Sequence, residues 1–292
     1  MKAPGPLPSA IAFVVPHQGL EALSQTLADA HIIADPSIFR WGAWLTRTNG
    51  ALHAAEFAFP AGASVDDVLR TLRTAKPVQH RVTIPEGLTV IEITAILNHA
   101  EAASGPVPSF GEGEFFPDTY QFEHGMTRAD LVAGARTRMT QILNEEWSNR
   151  DAGLPLTSPA QALTLASIVE RETALPEERP HVAAVFLNRL RLGMKLESDP
   201  TVVYGASNGQ GKLDRSISHA DLALATPFNT YVIQGLPPGP IASPGRASIH
   251  AVLHPAPSED LYFVANGSGG HSFAATLAQH DKNVAKWRKL GH

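Results

Sequence analysis

Three short apolar runs in the first third of the chain are each followed by a proline, a nearby glycine and then a helical pattern of apolar residues. The turn residues are Pro16 and Gly19, Pro60 and Gly62, and Pro85 and Gly87. Proline fixes φ and ends a strand, and glycine permits the sharp reversal into a helix. Whether these are a true repeat or separate strand–turn–helix units, they predict a small α+β module over residues 11–104.

Residues 105–292 alternate helical patterns with one long irregular stretch. Helices are predicted after the N-cap Thr127, after Ser158 and Pro159, and over "ERPHVAAVFLNRLRLGM". Residues 197–246 are rich in glycine and proline, and "TVVYG" and "TYVIQG" within them are predicted strands. A long irregular segment inside a compact domain is usually functional, so we expect it to form an ordered wall of a binding groove. A strand over Leu261–Ala265 and a final helix complete a mixed α+β domain.

Composition argues against several classes of function. The net charge is −5 and no block of basic residues occurs, which argues against nucleic acid as a partner. The absence of cysteine excludes disulfides, thiolate chemistry and cysteine-ligated zinc, and it leaves the compartment open. No apolar run reaches the roughly 18 residues of a spanning helix. Residues 1–10, "MKAPGPLPSA", resemble a Pro-rich linker, which leads us to expect a further segment upstream.

Two glutamates in "ASIVERET" raise the question of which one carries chemistry. Residues i and i+2 lie about 200° apart on a helix, so Glu170 and Glu172 cannot act as a side-by-side pair. Glu172 shares its helix face with Ile168 and Leu165, whereas Glu170 lies over the smaller Ala166. A carboxyl on the bulky apolar face is more strongly desolvated, which raises its pKa and suits a general acid. The alternative is that Glu172 pairs with an arginine of a neighbouring helix.

Other candidate chemistries have weaker support. "GASNG" matches the serine-hydrolase motif around Ser207, but no apolar helical pattern follows it. His250 and His254 are four residues apart and could begin a zinc site, but the sequence indicates no third ligand. A pyridoxal-phosphate lyase would need a Schiff-base lysine, for which Lys195 and Lys212 are the nearby options, and a phosphate cradle that the sequence lacks.

Several long motifs resemble one family. They are "EGEFFPDTYQF", "LASIVERET" followed by "ERPHVAAVFLNRLRLGMKLESDPTVVYG", "TPFNTYVIQGLPPGPIASPG" and "LYFVANGSGGHSFAATLAQHDKNV". Together they resemble the MltG (YceG-like) family of endolytic murein transglycosylases, from about Phe13 to the C-terminus. The resemblance implies a LysM-like module over 11–104 and a catalytic domain over 105–292. It also implies a single-pass anchor in the inner membrane, upstream of this chain, with the catalytic part in the periplasm.

The resemblance implies a lyase that cleaves MurNAc–GlcNAc bonds of nascent peptidoglycan and leaves 1,6-anhydro-MurNAc ends, without a cofactor or a metal. The second glutamate of its Glu-x-Glu-Thr motif is the catalytic one, which is Glu172 here. Substrate binding carries over to Asp199, Tyr204, Asn229, Tyr231 and His271, and supporting roles to Glu170, Thr173, Asp118 and Tyr120. Departures from the family pattern occur at Glu114, Glu197 and Ser243, so the resemblance implies the reaction class but not the fine substrate contacts at these positions.

The implied reaction needs one enzymic carboxyl. The 6-hydroxyl of MurNAc attacks C1, so the second carboxylate that ordinary glycosidases use is not required. Two alternatives stay open: a hydrolytic muramidase on the same scaffold, and a non-catalytic protein that binds glycan or acts as a scaffold. The expected partners are glycan strands and, through the family, peptidoglycan synthases.

Overall fold

The structure is a computed structural model that describes residues 1–289. Its chain forms two compact units. The first comprises Met1–Val82, Ala100–Gly105 and Tyr120–Thr127, and the second comprises Thr83–His99, Pro106–Thr119 and, among the described residues, 128–289. The domain boundaries expected from the sequence, after residues 10 and 104, stay a prediction.

The first unit contains most of the short strands. Its elements are β1 (Ile11–Val14), α1 (Leu20–Asp29), α2 (Pro36–Leu45), a 3₁₀ turn (Arg47–Asn49), β2 (Glu56–Phe59) and α3 (Val65–Thr74), with most of β3 (Gln79–Thr83) and β4 (Thr119–Glu123). Strands β1 and β2 pair antiparallel, with Ile11 opposite Phe59, and β3 pairs with β4. Leu7, within the segment expected to be a linker, is buried in this unit's core.

The second unit is mainly helical. Its elements are α4 (Val90–Asn98), α5 (Arg128–Ser148), α6 (Pro159–Glu172), α7 (Arg179–Arg191), α8 (Asp199–Ala206), α9 (His219–Ala223), α10 (Arg246–Leu253), β5 (Tyr262–Ala265), β6 (His271–Ala274) and α11 (Leu277–Arg288). Strands β5 and β6 form an antiparallel hairpin. The combination of helices and small sheets confirms the α+β class, whereas the LysM-like assignment stays a prediction.

The core of the second unit surrounds α6. Leu165, Ala166, Ile168 and Val169 of this helix are fully buried, in contact with residues of α5, α7 and α10. A helix that is apolar on nearly every side belongs in the interior of a domain. The core therefore holds α6 in place and leaves its C-terminal end, with Glu172, at the edge of the packed region.

The predicted strand–Pro–Gly–helix pattern is observed in each of the three places. Strands β1, β2 and β3 precede the turns, and helices α1, α3 and α4 follow them. Gly62 and Gly87 have φ of 65° and 77°, the left-handed region that glycine enters without steric penalty. Ser64 and Thr89 then cap α3 and α4 in capping boxes with Asp67 and Glu92.

Two predicted strands in the irregular stretch are wrong. "TVVYG" lies within helix α8, where Pro200 occupies the first turn and Thr201 and Val202 are buried. "TYVIQG", residues 230–235, forms turns and bends rather than a strand. Tertiary packing overrides the β propensity of threonine and valine in α8. No helix within residues 1–289 is both long enough and apolar enough to cross a membrane.

Candidate active site

Glu172 is the last residue of α6, and local signals define both ends of that helix. The Ser158 hydroxyl accepts the Gln161 N–H at 3.3 Å, and Pro159 occupies the first turn. At the other end Thr173 has an extended backbone, with φ −135° and ψ 132°, and Pro176 follows closely. The helix therefore ends at Glu172, and the chain turns away at the next residue.

Two cavities meet at Glu172. One, of about 430 Å³, is lined by Glu172, Arg189, Leu196, Glu197, Asp199, Tyr231, Phe263, Val264, Ala265, His271, His280 and Trp287. The other, of about 460 Å³, is lined by Glu172, Thr173, Ala174, Ala265, Gly267, Gly269, Gly270, His271 and Trp287. Glu172, Ala265, His271 and Trp287 belong to both walls. The Glu172 carboxyl therefore lies where a ligand occupying both cavities would pass.

The surroundings of Glu172 favour its neutral form. Burial raises the pKa of this carboxyl from 4.5 to about 7, and the negative charge of Asp199 acts in the same direction. The Ser198 hydroxyl, which donates to Glu172 Oε2 at 2.8 Å, opposes the rise. One oxygen is thus held by Ser198, and near neutral pH the carboxyl can either give or take a proton.

Asp199 and Tyr231 form a hydrogen-bonded pair in the wall of the first of these cavities. The Tyr231 hydroxyl donates to Asp199 Oδ1 at 2.7 Å. Burial, followed by the hydrogen bond to Asp199 and its charge, raises the pKa of the Tyr231 phenol, which therefore stays protonated. The structure brings these two predicted site residues together with Glu172 in one cavity.

His271 is held in place by Glu178, a residue that the sequence did not single out. The His271 backbone N–H donates to Glu178 Oε1 at 2.8 Å, and His271 Nδ1 lies 2.7 Å from Glu178 Oε2. Burial alone would raise the pKa of the Glu178 carboxyl, but these two bonds hold it below its usual value. The buried Thr173 hydroxyl also donates to Glu178, at 3.4 Å. Glu178 therefore joins the end of α6 to the β5–β6 hairpin.

Glu170 has a structural environment that differs from that of Glu172. Its side chain is only 5% exposed and forms an ion pair with Arg179 at 3.2 Å. Its other oxygen accepts the backbone N–H of Gly245, the N-cap of α10, at 2.9 Å. A carboxylate at a helix N-terminus interacts favourably with the helix dipole. Glu170 therefore connects three helices and does not line either cavity.

Two of the residues predicted to bind substrate lie outside both cavities. Asn229 is 1% exposed, and its amide donates to the carbonyls of Asp221, Leu222 and Leu224 at 2.8–3.2 Å. Tyr204 packs edge-on against Phe228. Its hydroxyl donates to Glu112 at 3.4 Å, so both side chains are engaged within the protein.

The two predicted bracing residues are also not in the cavity walls. Asp118 pairs with Arg138 at 3.0 Å, and its backbone carbonyl accepts the Ile84 N–H. Tyr120 lies in β4, in the part of the chain that groups with the first unit.

Two further polar residues were missed from the sequence: Ser198, which contacts Glu172, and Glu112, which lies outside both cavity walls. Ser198 directly precedes Asp199, so its position in "ESDP" was a usable signal. Glu112 gave no such signal in the sequence. In the structure, burial raises the pKa of its carboxyl to about 7, and both of its oxygens accept the Val90 N–H at the start of α4. Glu197, one of the departures from the family pattern, lines the first cavity and forms an ion pair with Arg189 at 3.0 Å.

The other two departures from the family pattern, and the serine and a lysine of the alternative chemistries, are buried or bonded to other parts of the protein. Glu114 pairs with Arg136 at 3.0 Å, and Ser243 is fully buried. The Ser207 hydroxyl donates to the Tyr204 carbonyl and accepts the Gly211 N–H, which does not suit a nucleophile. Lys195 donates to the Tyr231 carbonyl at 2.9 Å.

Comparison with known proteins adds an independent observation. Residues 13–286 match the YceG-like family. An endolytic murein transglycosylase of Bacillus subtilis (strain 168) is 37% identical over 176 residues, which are 60% of this chain and 48% of the relative. One of Streptococcus pneumoniae (strain D39) is 30% identical over 317 aligned residues, 91% of this chain and 56% of the relative. The chain thus spans about half the length of these relatives.

A solved structure is also similar. The crystal structure of a yceG-like protein from Listeria monocytogenes matches with a TM-score of 0.59 and 26% sequence identity. The match covers 94% of this chain and 98% of the other. The similarity therefore extends over both units described above.

Proposed function

This chain belongs to the YceG-like family, and on that premise we propose that it is an endolytic murein transglycosylase with Glu172 as its catalytic acid and base. The bond cleaved is the one between MurNAc and GlcNAc in nascent glycan strands, and the product carries a 1,6-anhydro-MurNAc end. One observation carries the proposal: a carboxyl with a pKa of about 7 lies at the junction of two cavities.

The chemistry follows from the state of the Glu172 carboxyl. In its neutral form it donates its proton to the glycosidic oxygen as the bond from C1 to that oxygen breaks. The resulting carboxylate then takes the proton of the MurNAc 6-hydroxyl as that oxygen bonds to C1. Glu172 is neutral again after the second transfer, so the protons balance, and no water takes part in the reaction. A pKa near the working pH suits a group that performs both transfers.

Asp199 and Tyr231 supply the electrostatic setting. The charge of Asp199 favours neutral Glu172 before the reaction. The same negative charge stabilises the positive charge that develops at C1 in an oxocarbenium-like transition state. The Tyr231 hydroxyl fixes the orientation of the Asp199 carboxylate.

Cleavage within a strand requires room on both sides of the acid. The two cavities share Glu172, Ala265, His271 and Trp287 and have otherwise different walls, which supports an endolytic rather than an end-directed mode. Aromatic side chains such as Trp287 provide the flat apolar surfaces on which sugar rings pack. We extend the proposal to a periplasmic location, an inner-membrane anchor and coupling to peptidoglycan synthases.

Muropeptide analysis tests the proposal. Purified peptidoglycan is digested with wild type, Glu172→Gln and Glu177→Gln, and the products are analysed by mass spectrometry. Glu177 is an exposed glutamate five residues away and serves as the matched control. We expect products lighter than hydrolytic ones by one water from wild type and the control, and none from Glu172→Gln.

Each other outcome identifies a different error. Products without the loss of water would indicate a hydrolytic muramidase. Binding of glycan without any cleavage by wild type would indicate a binding or scaffold protein. Cleavage by Glu172→Gln at the wild-type rate would mean that another residue is the acid.

A further inference from the structure

A cluster of side chains on α5 and α10 lies apart from the cavity walls. Glu146 near the end of α5 and His250 on α10 are 104 positions apart, and His250 Nδ1 lies 2.8 Å from Glu146 Oε2. His254, four residues further on, has its ring centroid 4.4 Å from that of His250. One potential ligand atom from each of the three side chains lies within 4.8 Å of those of the other two. The third partner that the histidine pair lacked in sequence thus comes from another helix.

Two members of the cluster, His254 and Glu146, are each oriented by a charged neighbour. His254 Nδ1 lies 2.9 Å from Asp151 Oδ1, which leaves the Nε2 lone pair of that ring available. The Glu146 side chain is only 7% exposed, and Arg246 Nε donates to its Oε1 at 2.7 Å, which leaves Oε2 toward His250. Histidines that bind metals usually donate their other ring N–H to a carboxylate in this way, and the partner fixes the tautomer.

We propose that Glu146, His250 and His254 form a binding site for a divalent transition-metal ion, with Zn²⁺ as the expected occupant. Two imidazoles and one carboxylate are ligands that Zn²⁺ accepts, whereas Mg²⁺ and Ca²⁺ require oxygen ligands. The metal takes the place of the proton between His250 Nδ1 and Glu146 Oε2. Neighbouring ligands of a tetrahedral zinc ion with bonds of about 2.0 Å lie roughly 3.3 Å apart. The observed 2.8 Å contact therefore needs to open only slightly.

Local charge and access are consistent with a dication. Glu145, Glu146 and Asp151 bring three carboxylates to this surface, and Arg246 pairs with the first two of them. The His250 side chain is 58% exposed, which provides a path for a hydrated ion and a position for a water ligand. Bound there, the ion connects the end of α5 to the end of α10. None of the three ligands lines the cavities at Glu172, so cleavage does not depend on the metal.

Zinc titration of the complete chain, without a histidine tag and after treatment with a chelator, tests the proposal. Isothermal calorimetry is run with ZnCl₂ on wild type, His250→Ala, His254→Ala and the control His219→Ala, which removes an exposed histidine of α9. We expect one equivalent bound by wild type and by the control. Each cluster variant should bind at least about tenfold more weakly, because it loses a direct ligand. Thermal unfolding should show a zinc-dependent rise in Tm for wild type and the control only.

The visible spectrum of wild type with Co²⁺ provides a second measurement that does not depend on the variants folding. An intense band of four-coordinate Co²⁺ would support the site, and the weak spectrum of the six-coordinate aqueous ion would overturn it. Equal zinc affinity of wild type and both cluster variants would also overturn it, since the ion would then be bound by other histidines.

Discussion

Replacing Glu172 with glutamine is expected to raise the stability of the protein at alkaline pH while it abolishes cleavage. The folded structure holds the pKa of this carboxyl at about 7 rather than 4.5, mainly through burial. Between these two values the folded protein binds more protons than the unfolded chain, so its stability decreases as the pH rises. By about pH 8.5 the wild type carries nearly the full penalty of a desolvated carboxylate, which glutamine removes.

The magnitude follows from the two pKa values. Each tenfold change in proton affinity corresponds to about 1.4 kcal/mol, so a rise in pKa from 4.5 to about 7 amounts to about 3 kcal/mol. Glutamine does not titrate, and all other groups are common to both proteins. The difference in unfolding free energy between Glu172→Gln and wild type should therefore grow by about 3 kcal/mol between about pH 4.5 and about pH 8.5. Glutamine can still accept the hydrogen bond from Ser198, so the packing of the site is retained.

Urea denaturation followed by circular dichroism measures this difference, with both proteins studied in parallel at each pH. Glu170→Gln is the matched control, since it makes the same change two residues away in the same helix. That variant leaves the buried guanidinium of Arg179 with the longer and more exposed pair to Glu86, at 3.6 Å, and we expect it to lower stability at about pH 8.5 by about 2 kcal/mol. A difference between Glu172→Gln and wild type that stays constant within about 1 kcal/mol across the pH range would refute the desolvation of Glu172. Its role as an acid would then lose its physical basis.

Three further predictions concern the same site and its support. The kcat/KM of wild type should decrease above about pH 7 as the acid form of Glu172 is lost. Asp199→Asn removes a charge that raises the pKa of Glu172, so this decrease in kcat/KM should occur at lower pH. Ser198→Ala removes the hydrogen bond that lowers the same pKa, so in this variant the decrease in kcat/KM should occur at higher pH. A shift of the two variants' pH profiles in the same direction would contradict this account. Asn229→Ala should lower the unfolding free energy by about 2 kcal/mol because three backbone carbonyls lose their donor and the Tyr231 N–H loses its acceptor; KM should stay within about twofold of wild type because the Asn229 side chain lines neither cavity.

The elements that the sequence predicted well depend on interactions between near neighbours in the chain. Ser158 and Pro159 define the start of α6, and the strand–Pro–Gly–helix units fold as expected. The different environments of Glu170 and Glu172 also follow from helical geometry alone, because two residues of separation place them on different faces. The ion pair that we considered for Glu172 is instead made by Glu170 with Arg179.

The sequence by itself therefore determined the α+β class, the position of α6 and the placement of its two glutamates in different environments, since caps, turns and helical periodicity act over a few residues. The tertiary structure decided which polar groups meet: His271 with Glu178 across 93 positions, and His250 with Glu146 across 104. It also decided that "TVVYG" is helical and that Asn229 is buried within its own loop. These outcomes depend on burial and on partners distant in the chain, and neither is encoded in the spacing of nearby residues.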